Sequence, residues 1–396
     1  MKRTLTAAGM LAALLVTLLV VVLVIGVSAA QAQAGSLVEV TAVNGQVVPG
    51  EYIVTTRPGS AGRVSGERAA GSTIHVYQHA LHGFAARLDA VQLRALRRDR
   101  DVLAIEPNQL AHAHGDVTVQ TVQSPTPNWG VDRIDQRNLP LSNSYTYFNN
   151  GLGITAYVID TGIHVTHPEF GGRAAVAYDA LGGNGLDCNG HGTHLAGTIG
   201  SASYGVAKQV QLRAVRVLDC NGSGSFADVI EGINWVQANS PGPSVALMAL
   251  GGSKSAAVDA ATNSLAASGV FVAVSGGSSA SDACNFSPTG AAGAYAVIRT
   301  TPTDQSPTSN NFGPCVKLQA PGTSIPSTWL ANGTNVLSGT SMAAAHAAGV
   351  AAMFKDAVGE TPSNVVGAWL SGVATPGVLT GVHPLAPNLL LYTNVI

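Results

Sequence analysis

Three short stretches carry groups whose types and order suit nucleophilic chemistry. Ser341 lies in Leu337-Ser338-Gly339-Thr340-Ser341-Met342-Ala343, which runs directly into the apolar, alanine-rich segment Ala344 to Phe354. A helix starting there directs unpaired backbone N–H groups and the positive end of its dipole toward the serine. A hydroxyl so placed is either a helix cap, the commoner role, or a nucleophile whose attack creates an oxyanion beside ready donors. Asp160 ends Ala156-Tyr157-Val158-Ile159-Asp160, which reads as a buried β-branched strand closed by the turn residue Gly162. His191 stands between glycines in Asn189-Gly190-His191-Gly192-Thr193-His194, at the mouth of another helical run. A carboxylate to orient an imidazole, an imidazole to move a proton and a hydroxyl to attack occur in the chain order Asp, His, Ser. That is one of the three orders in which such a triad is found.

The elements that must position these groups alternate along the chain. Apolar strands over 154–160, 210–217, 245–250 and 270–274 are separated by helical patterns after His191, over 226–239 and 256–268, and after Ser341. Such alternation predicts an α/β fold with a mainly parallel sheet and helices on both faces. Right-handed crossovers then gather the strand ends along one edge, where Asp160 falls. His194 and His346 read as structural.

With 396 residues the chain is too long for one core. Charged residues are 11% and the net charge is −2, so neither nucleic acid nor an acidic polymer is implied as partner. Lys2 and Arg3 followed by the apolar run Leu11 to Val27 and the small-residue sites at Ala32 and Ala34 predict a cleaved secretory leader over 1–34, with a retained anchor as the alternative. Between them and the main domain, strands over 51–57, 73–79, 82–88 and 102–106, with a helix capped by Asp89 over 90–100, predict a small α+β unit. Its tail, Gln109 to Gln120, is polar and histidine-bearing, as an exposed cut site would be. Asp132, Asp135 and Gln136 are hard oxygen donors in close sequence, readable as a calcium cluster or as surface acids. Four cysteines, Cys188, Cys220, Cys284 and Cys315, allow three pairings, and their spacings are not those of a zinc site.

The segments V-I-D-T-G-I, N-G-H-G-T-H-L-A-G-T-I-G and S-G-T-S-M-A resemble the signature blocks of the subtilisin-like serine proteases, peptidase family S8. Tyr204-Gly205-Val206-Ala207-Lys208 and Val217 to Gly224 narrow the resemblance to the proteinase K branch, closest to its secreted aqualysin-like enzymes. The likeness implies a signal peptide over 1–34, a ferredoxin-like inhibitor propeptide over 35–120 and a peptidase domain over 121–396, with the mature chain starting near Thr121 to Ser124. It implies a secreted, extracellular serine endopeptidase, made as a self-processing zymogen and acting as a monomer on polypeptide substrates after apolar or aromatic residues. The propeptide is its intramolecular inhibitor and folding aid. Asp160, His191 and Ser341 are the implied triad, with Ser341 and Ser278 at the oxyanion hole. Ala249, Leu250, Gly251 and Gly252 with Ser275, Gly276 and Gly277 are the implied substrate-binding segments. The aqualysin-like pairing is Cys188–Cys220 and Cys284–Cys315. Structural calcium is implied at Asp132, Asp135, Gln136 and Asp304, and no organic cofactor. The chain departs from the branch at Ser275-Gly276-Gly277-Ser278, where Ala-Ala-Gly-Asn is usual, so a hydroxyl replaces an amide donor. This opens an alternative reading, a catalytically degenerate relative that binds peptides or its own propeptide.

Overall fold

Thr155–Asp160 buries side chains on both of its faces, and the architecture follows from what covers them. Ala156 and Val158 enter one apolar cluster, Tyr157 and Ile159 another. Neighbouring strands divide the same way, Val245 and Leu247 against Ala246 and Met248, Phe271 and Ala273 against Val272 and Val274. A strand apolar on both faces needs a layer of helices on each side. The computed structural model describes residues 37–43, 47–113, 116–118 and 127–393; the expected leader and the expected boundary at 120/121 lie outside them.

The N-terminal unit runs β1 (Val47–Thr56), α1 (Ala61–Arg68), β2 (Thr73–Tyr77), β3 (Gly83–Arg87), α2 (Ala90–Leu96) and β4 (Val102–Ala113). Its strands pair antiparallel in the order β4-β1-β3-β2, the ferredoxin-like arrangement. Val64 and Leu96, one from each helix, pack with Val54, Phe84 and Ile105. Asp89 caps α2 with a full capping box to Gln92. Sequence reading missed α1, which carries two glycines and buries only Ala61, Val64 and Ser65, too little for an apolar stripe. It also ended β4 at Glu106, whereas the strand continues to Ala113 and Asn108 and Gln109 are fully buried. Gln109, the first residue of the tail expected to be exposed, and Asn108 before it have partners in the second unit. Asn108 Oδ1 accepts from Ala227 N at 2.9 Å, and Gln109 Nε2 donates to Lys254 O at 3.4 Å.

Beyond β5 (Asp116–Thr118) and α3 (Trp129–Ile134) come β6 (Thr155–Asp160), β7 (Ala174–Asp179), α4 (His191–Gly200), β8 (Gln211–Arg216), β9 (Ser223–Ser225), α5 (Phe226–Asn239), β10 (Ser244–Met248), β11 (Leu250–Ser253), α6 (Ala256–Ala267) and β12 (Phe271–Ser275). Then follow β13 (Phe286–Ser287), β14 (Tyr295–Thr300), β15 (Val316–Pro321), β16 (Ile325–Thr328), β17 (Thr334–Ser338), α7 (Thr340–Val358), α8 (Ser363–Val373), β18 (Thr375–Pro376) and β19 (Leu389–Leu390). The central sheet has the order β18-β19-β15-β14-β12-β10-β6-β8-β7. From β15 to β7 every pairing is parallel. Strand order reverses at β6, so the end carrying Asp160 opens onto the crevice where doubly wound sheets place their sites. α4 and α7 cover one face, α5 and α6 the other.

The two units share a core, since Ile53, Tyr77 and Ala85 join the cluster of Phe226, Ala227 and Ile230. Tyr77 Oη donates to Ala227 O at 2.9 Å, and Asn234 Oδ1 accepts from His79 N at 2.8 Å. Glu106 accepts from Ser255 Oγ at the start of α6. Both expected disulfides form, Cys188–Cys220 and Cys284–Cys315.

His194 and His346 are buried in the α4–α7 layer, and burial holds their imidazoles down at about 3 and about 4. His346 Nδ1 donates to Met342 O at 2.8 Å, which fixes a neutral tautomer. The unfolded chain takes up these protons below about pH 6.5, and the folded chain does not until near pH 4 at His346 and near pH 3 at His194. Stability therefore falls as the pH drops through that window, each histidine contributing up to about 1.4 kcal/mol per unit. Urea unfolding of the Ser341→Ala chain at pH 7 and pH 5 is expected to show this loss, with a smaller loss in Ser341→Ala/His346→Gln.

Candidate active site

Asp160 is the last residue of β6 and is fully buried. Its Oδ1 accepts from Thr161 N and from His191 Nδ1, each at 2.8 Å. Holding Nδ1 as the donor leaves Nε2 as the acceptor, the tautomer a general base requires. His191 is the first residue of α4, and its position depends on the absence of a side chain beside it. A Cβ on Gly192 would lie 2.1 Å from Gly162 O, so only glycine lets the start of α4 approach the end of β6.

A second buried carboxylate secures that approach. Asp187 Oδ1 accepts from Thr161 Oγ1 at 3.0 Å and from Gly190 N at 2.9 Å, while Oδ2 accepts from Thr193 N at 2.9 Å. Thr161 Oγ1 in turn accepts from Gly192 N at 2.9 Å. Sequence reading named none of Asp187, Thr161 and Thr193 as site residues, although both threonines lie within the quoted motifs.

Ser341 is the second residue of α7 and is buried, with its Oγ donating to Ala249 O at 3.3 Å. Ala249 joins β10 to β11, and β10 is the neighbour of β6. The hydroxyl is thus set at the same sheet edge as the Asp160–His191 pair. The segment Ser275-Gly276-Gly277-Ser278 leaves the end of β12 and is tied to α7, because Gly277 N donates to Thr340 Oγ1 at 3.1 Å. Gly277 has φ +88°, and a Cβ there would lie 2.3 Å from Asn311 Nδ2. Asn311 organises this loop, donating to Gly276 O at 3.0 Å and accepting from Ser279 N at 2.9 Å. Ser278 itself is exposed. Thr340 and Asn311 position the loop, and no spacing in the sequence marks Asn311 for that role.

The cleft beside Ser341 carries a strand of the chain's own N-terminal unit. β4 pairs antiparallel with β11 (Gly251 opposite His112, Leu250 opposite Ala113) and with β9 (Ser225 opposite Leu110, Ser223 opposite His112). A Cβ on Gly252 would lie 2.8 Å from Leu110 O, so this edge is built for a close backbone. A cavity of about 570 Å³ lined by Asn263, Phe271, Tyr295, Gly367 and Ser371 holds none of these residues.

The residues expected to bind calcium fall into two groups, Asp132, Asp135 and Gln136 in one and Asp304 in the other. Asp132 Oδ1 accepts from Ser142 Oγ at 2.9 Å and Oδ2 from Asn143 N at 2.8 Å. Asp135 Oδ2 accepts from Thr146 N at 2.5 Å, and Gln136 Oε1 from Ser142 N at 3.1 Å. Asp304 lies elsewhere, clamped by Arg133 through Nε at 2.7 Å and Nη2 at 2.8 Å. Calcium takes about six to eight oxygens, and the carboxylates here also accept from N–H and O–H donors. Among the described residues no cluster of three or more His, Cys, Asp or Glu is arranged to hold a metal. The oxygens of Asp132, Gln136, Ser142 and Ser144 thus lie together, burial and the Asp132 charge raise the Asp135 carboxyl to about 6, and Asp304 is held separately by Arg133.

Both units of the chain resemble known proteins. Residues 151–382 match the Subtilase family of peptidases, and residues 32–114 match the Peptidase inhibitor I9 family. An extracellular serine proteinase of Thermus sp. is 48% identical over 323 residues, covering 80% of this chain and 77% of that protein. Alkaline serine exoprotease A of Vibrio alginolyticus is 46% identical over 80% of this chain, which spans 60% of that protein's length. The crystal structure of a cold-adapted subtilisin-like serine proteinase superposes with a TM-score of 0.66 at 45% identity, covering 68% of this chain and 98% of that one. With its strand-end aspartate bonded to a helix-start histidine and its serine at the head of α7, the chain belongs to the subtilase family of serine proteases.

Proposed function

We propose that the protein is a secreted serine endopeptidase made as a zymogen, with Asp160, His191 and Ser341 as its triad. The observation that carries this reading is the 2.8 Å hydrogen bond from His191 Nδ1 to the buried Asp160, at the sheet edge that also holds the Ser341 hydroxyl. Ser341 Oγ attacks the carbonyl carbon of a peptide laid along β11. His191 takes the hydroxyl proton and returns it to the leaving amine, while Asp160 stabilises the imidazolium. The backbone N–H of Ser341, at the head of α7, and the Ser278 hydroxyl supply the oxyanion donors. The small, uncharged residues Gly251, Gly252, Ser275, Gly276 and Gly277 leave room for apolar or aromatic side chains before the cut bond. Extracellular function is consistent with the leader sequence and with the two disulfides.

Two substitutions test the chemistry. Ser341→Ala is expected to abolish hydrolysis of a chromogenic apolar peptide without unfolding the chain; retained turnover contradicts the triad. Ser278→Asn is expected to raise kcat about a hundredfold, the size being that of the corresponding donor in a related subtilisin. An unchanged kcat shows that the serine hydroxyl already serves fully. For the ion, calcium is expected to change the thermal midpoint of Asp135→Asn as it changes that of the parent. A site filled at 100 times its Kd adds about 2.7 kcal/mol, and loss of such a response in the variant places the cation at Asp135.

A further inference from the structure

We propose that Trp329 is a positioning residue of the protease site, keeping His191 aligned by packing its ring on the glycine that precedes the histidine. The proposal rests on the protease reading and names a residue on which the order of that same site depends.

His191 stands between two glycines, and each has a neighbour that needs the space. A Cβ on Gly192 would meet Gly162 O. Gly190, on the other flank, has φ +105°, and a Cβ there would lie 2.4 Å from Trp329 Cζ2 and 2.5 Å from Cη2. Those atoms belong to the six-membered ring of the indole, which therefore lies against the Gly190 backbone. The start of α4 needs such a support. Gly190 is its N-cap and has no side chain to bond the first turn, and the helix enters as Gly-His-Gly. Glycine has the most backbone freedom to lose, so the residue that moves the proton sits in the most pliable part of its helix. A flat, rigid ring in contact restricts that freedom without competing for hydrogen bonds.

Trp329 is itself firmly held. It follows directly on β16, whose Thr328 Oγ1 and Ser327 Oγ donate to Thr193 O and His194 O in the first turn of α4, each at 2.8 Å. Its ring also meets His194 edge-on, with centroids 6.4 Å apart. Beyond it the chain turns back at once: Trp329 N donates to Gly333 O at 2.8 Å, and Gly333 N to Leu330 O at 3.1 Å. Within that turn Ala331 and Asn332 have φ +54° and +60°, left-handed values that persist in residues with side chains only where the surroundings hold them. His164 Nε2 donates to Asn332 Oδ1 and His167 Nε2 to Gly333 O, each at 2.9 Å. His164 N in turn donates to Thr193 Oγ1 at 2.9 Å, and Thr193 Oγ1 donates to the buried Asp187.

Turn, ring and carboxylate thus close one circuit around the start of α4. Asp187 holds Gly190 by its N–H, and Trp329 holds it by its open face. The ring touches backbone beside His191 and no reacting atom. Its loss leaves the three catalytic groups present but lets the imidazole drift, and a misplacement of about 1 Å costs on the order of a hundredfold in rate.

The test is steady-state kinetics on a chromogenic apolar peptide after processing, with rates divided by active sites counted through exhaustive organophosphonate labelling. Trp329→Ala is expected to lower kcat about 10- to 100-fold, with KM within about twofold of the parent. Trp329→Phe, which returns a flat ring, is expected to recover kcat to within about fivefold of the parent. A parental kcat per site in Trp329→Ala, a raised KM with unchanged kcat, or Trp329→Phe as slow as Trp329→Ala overturns this assignment and leaves the protease reading intact. Asn332→Ala loosens the turn at its exposed tip and serves where Trp329→Ala does not fold. A kcat lowered at constant KM in that variant supports the assignment, and a parental kcat overturns it. A parent that hydrolyses no peptide overturns the protease reading itself.

Discussion

The hydrogen bond between His191 Nδ1 and Asp160 is the constraint that the rest of the structure serves. It links the end of one strand to the start of one helix, residues 31 apart in sequence. A buried carboxylate is costly unless its charge is met by donors. Thr161 N and the imidazole meet it here, and Asp187 with its threonine partners holds the imidazole's helix in place. The parallel sheet makes this affordable in geometric terms: β6 is flanked on both sides, so Asp160 cannot drift. The glycines of the His191 motif admit the close approach.

Much of this was legible in the sequence because it is local. Continuous apolar strands, the serine before an alanine-rich helix and the glycine-flanked histidine each declare themselves within about ten residues, the range over which periodicity can be read. What escaped is what depends on partners distant in the chain. Asn311 organises the loop around Ser278 from more than 30 residues away, through bonds to Gly276 and Ser279 that span 35 and 32 residues. β4 was cut short because the polar stretch from Gln109 reads as solvent-facing until Lys254 arrives to pair with it, as Ala227 does with Asn108. α1 was missed for the opposite reason, since its few apolar residues gain their meaning only against β2 and β3.

The calcium expectation rests on residues whose partners the sequence does not name. Carboxylates close in sequence signal a cation only if nothing else neutralises them. Here Ser142 and Ser144 bond to each other at 2.7 Å, and Ser142 also donates to Asp132. Arg133, fully buried, claims Asp304 through two hydrogen bonds. Donor identity decides between metal and protein partners, and sequence gives only acceptor identity. Ser278 is a departure of another kind, exposed on a loop that is otherwise firmly tied to α7 through Thr340.

The central claim is that folding makes Ser341 a nucleophile by bringing it to the Asp160–His191 pair. Its most direct test is stoichiometric labelling of the processed protein with an organophosphonate, located by peptide mass spectrometry. The account predicts one modified residue, Ser341, with labelling lost in His191→Ala. Modification of another serine, or of Ser341 at an undiminished rate without His191, contradicts it.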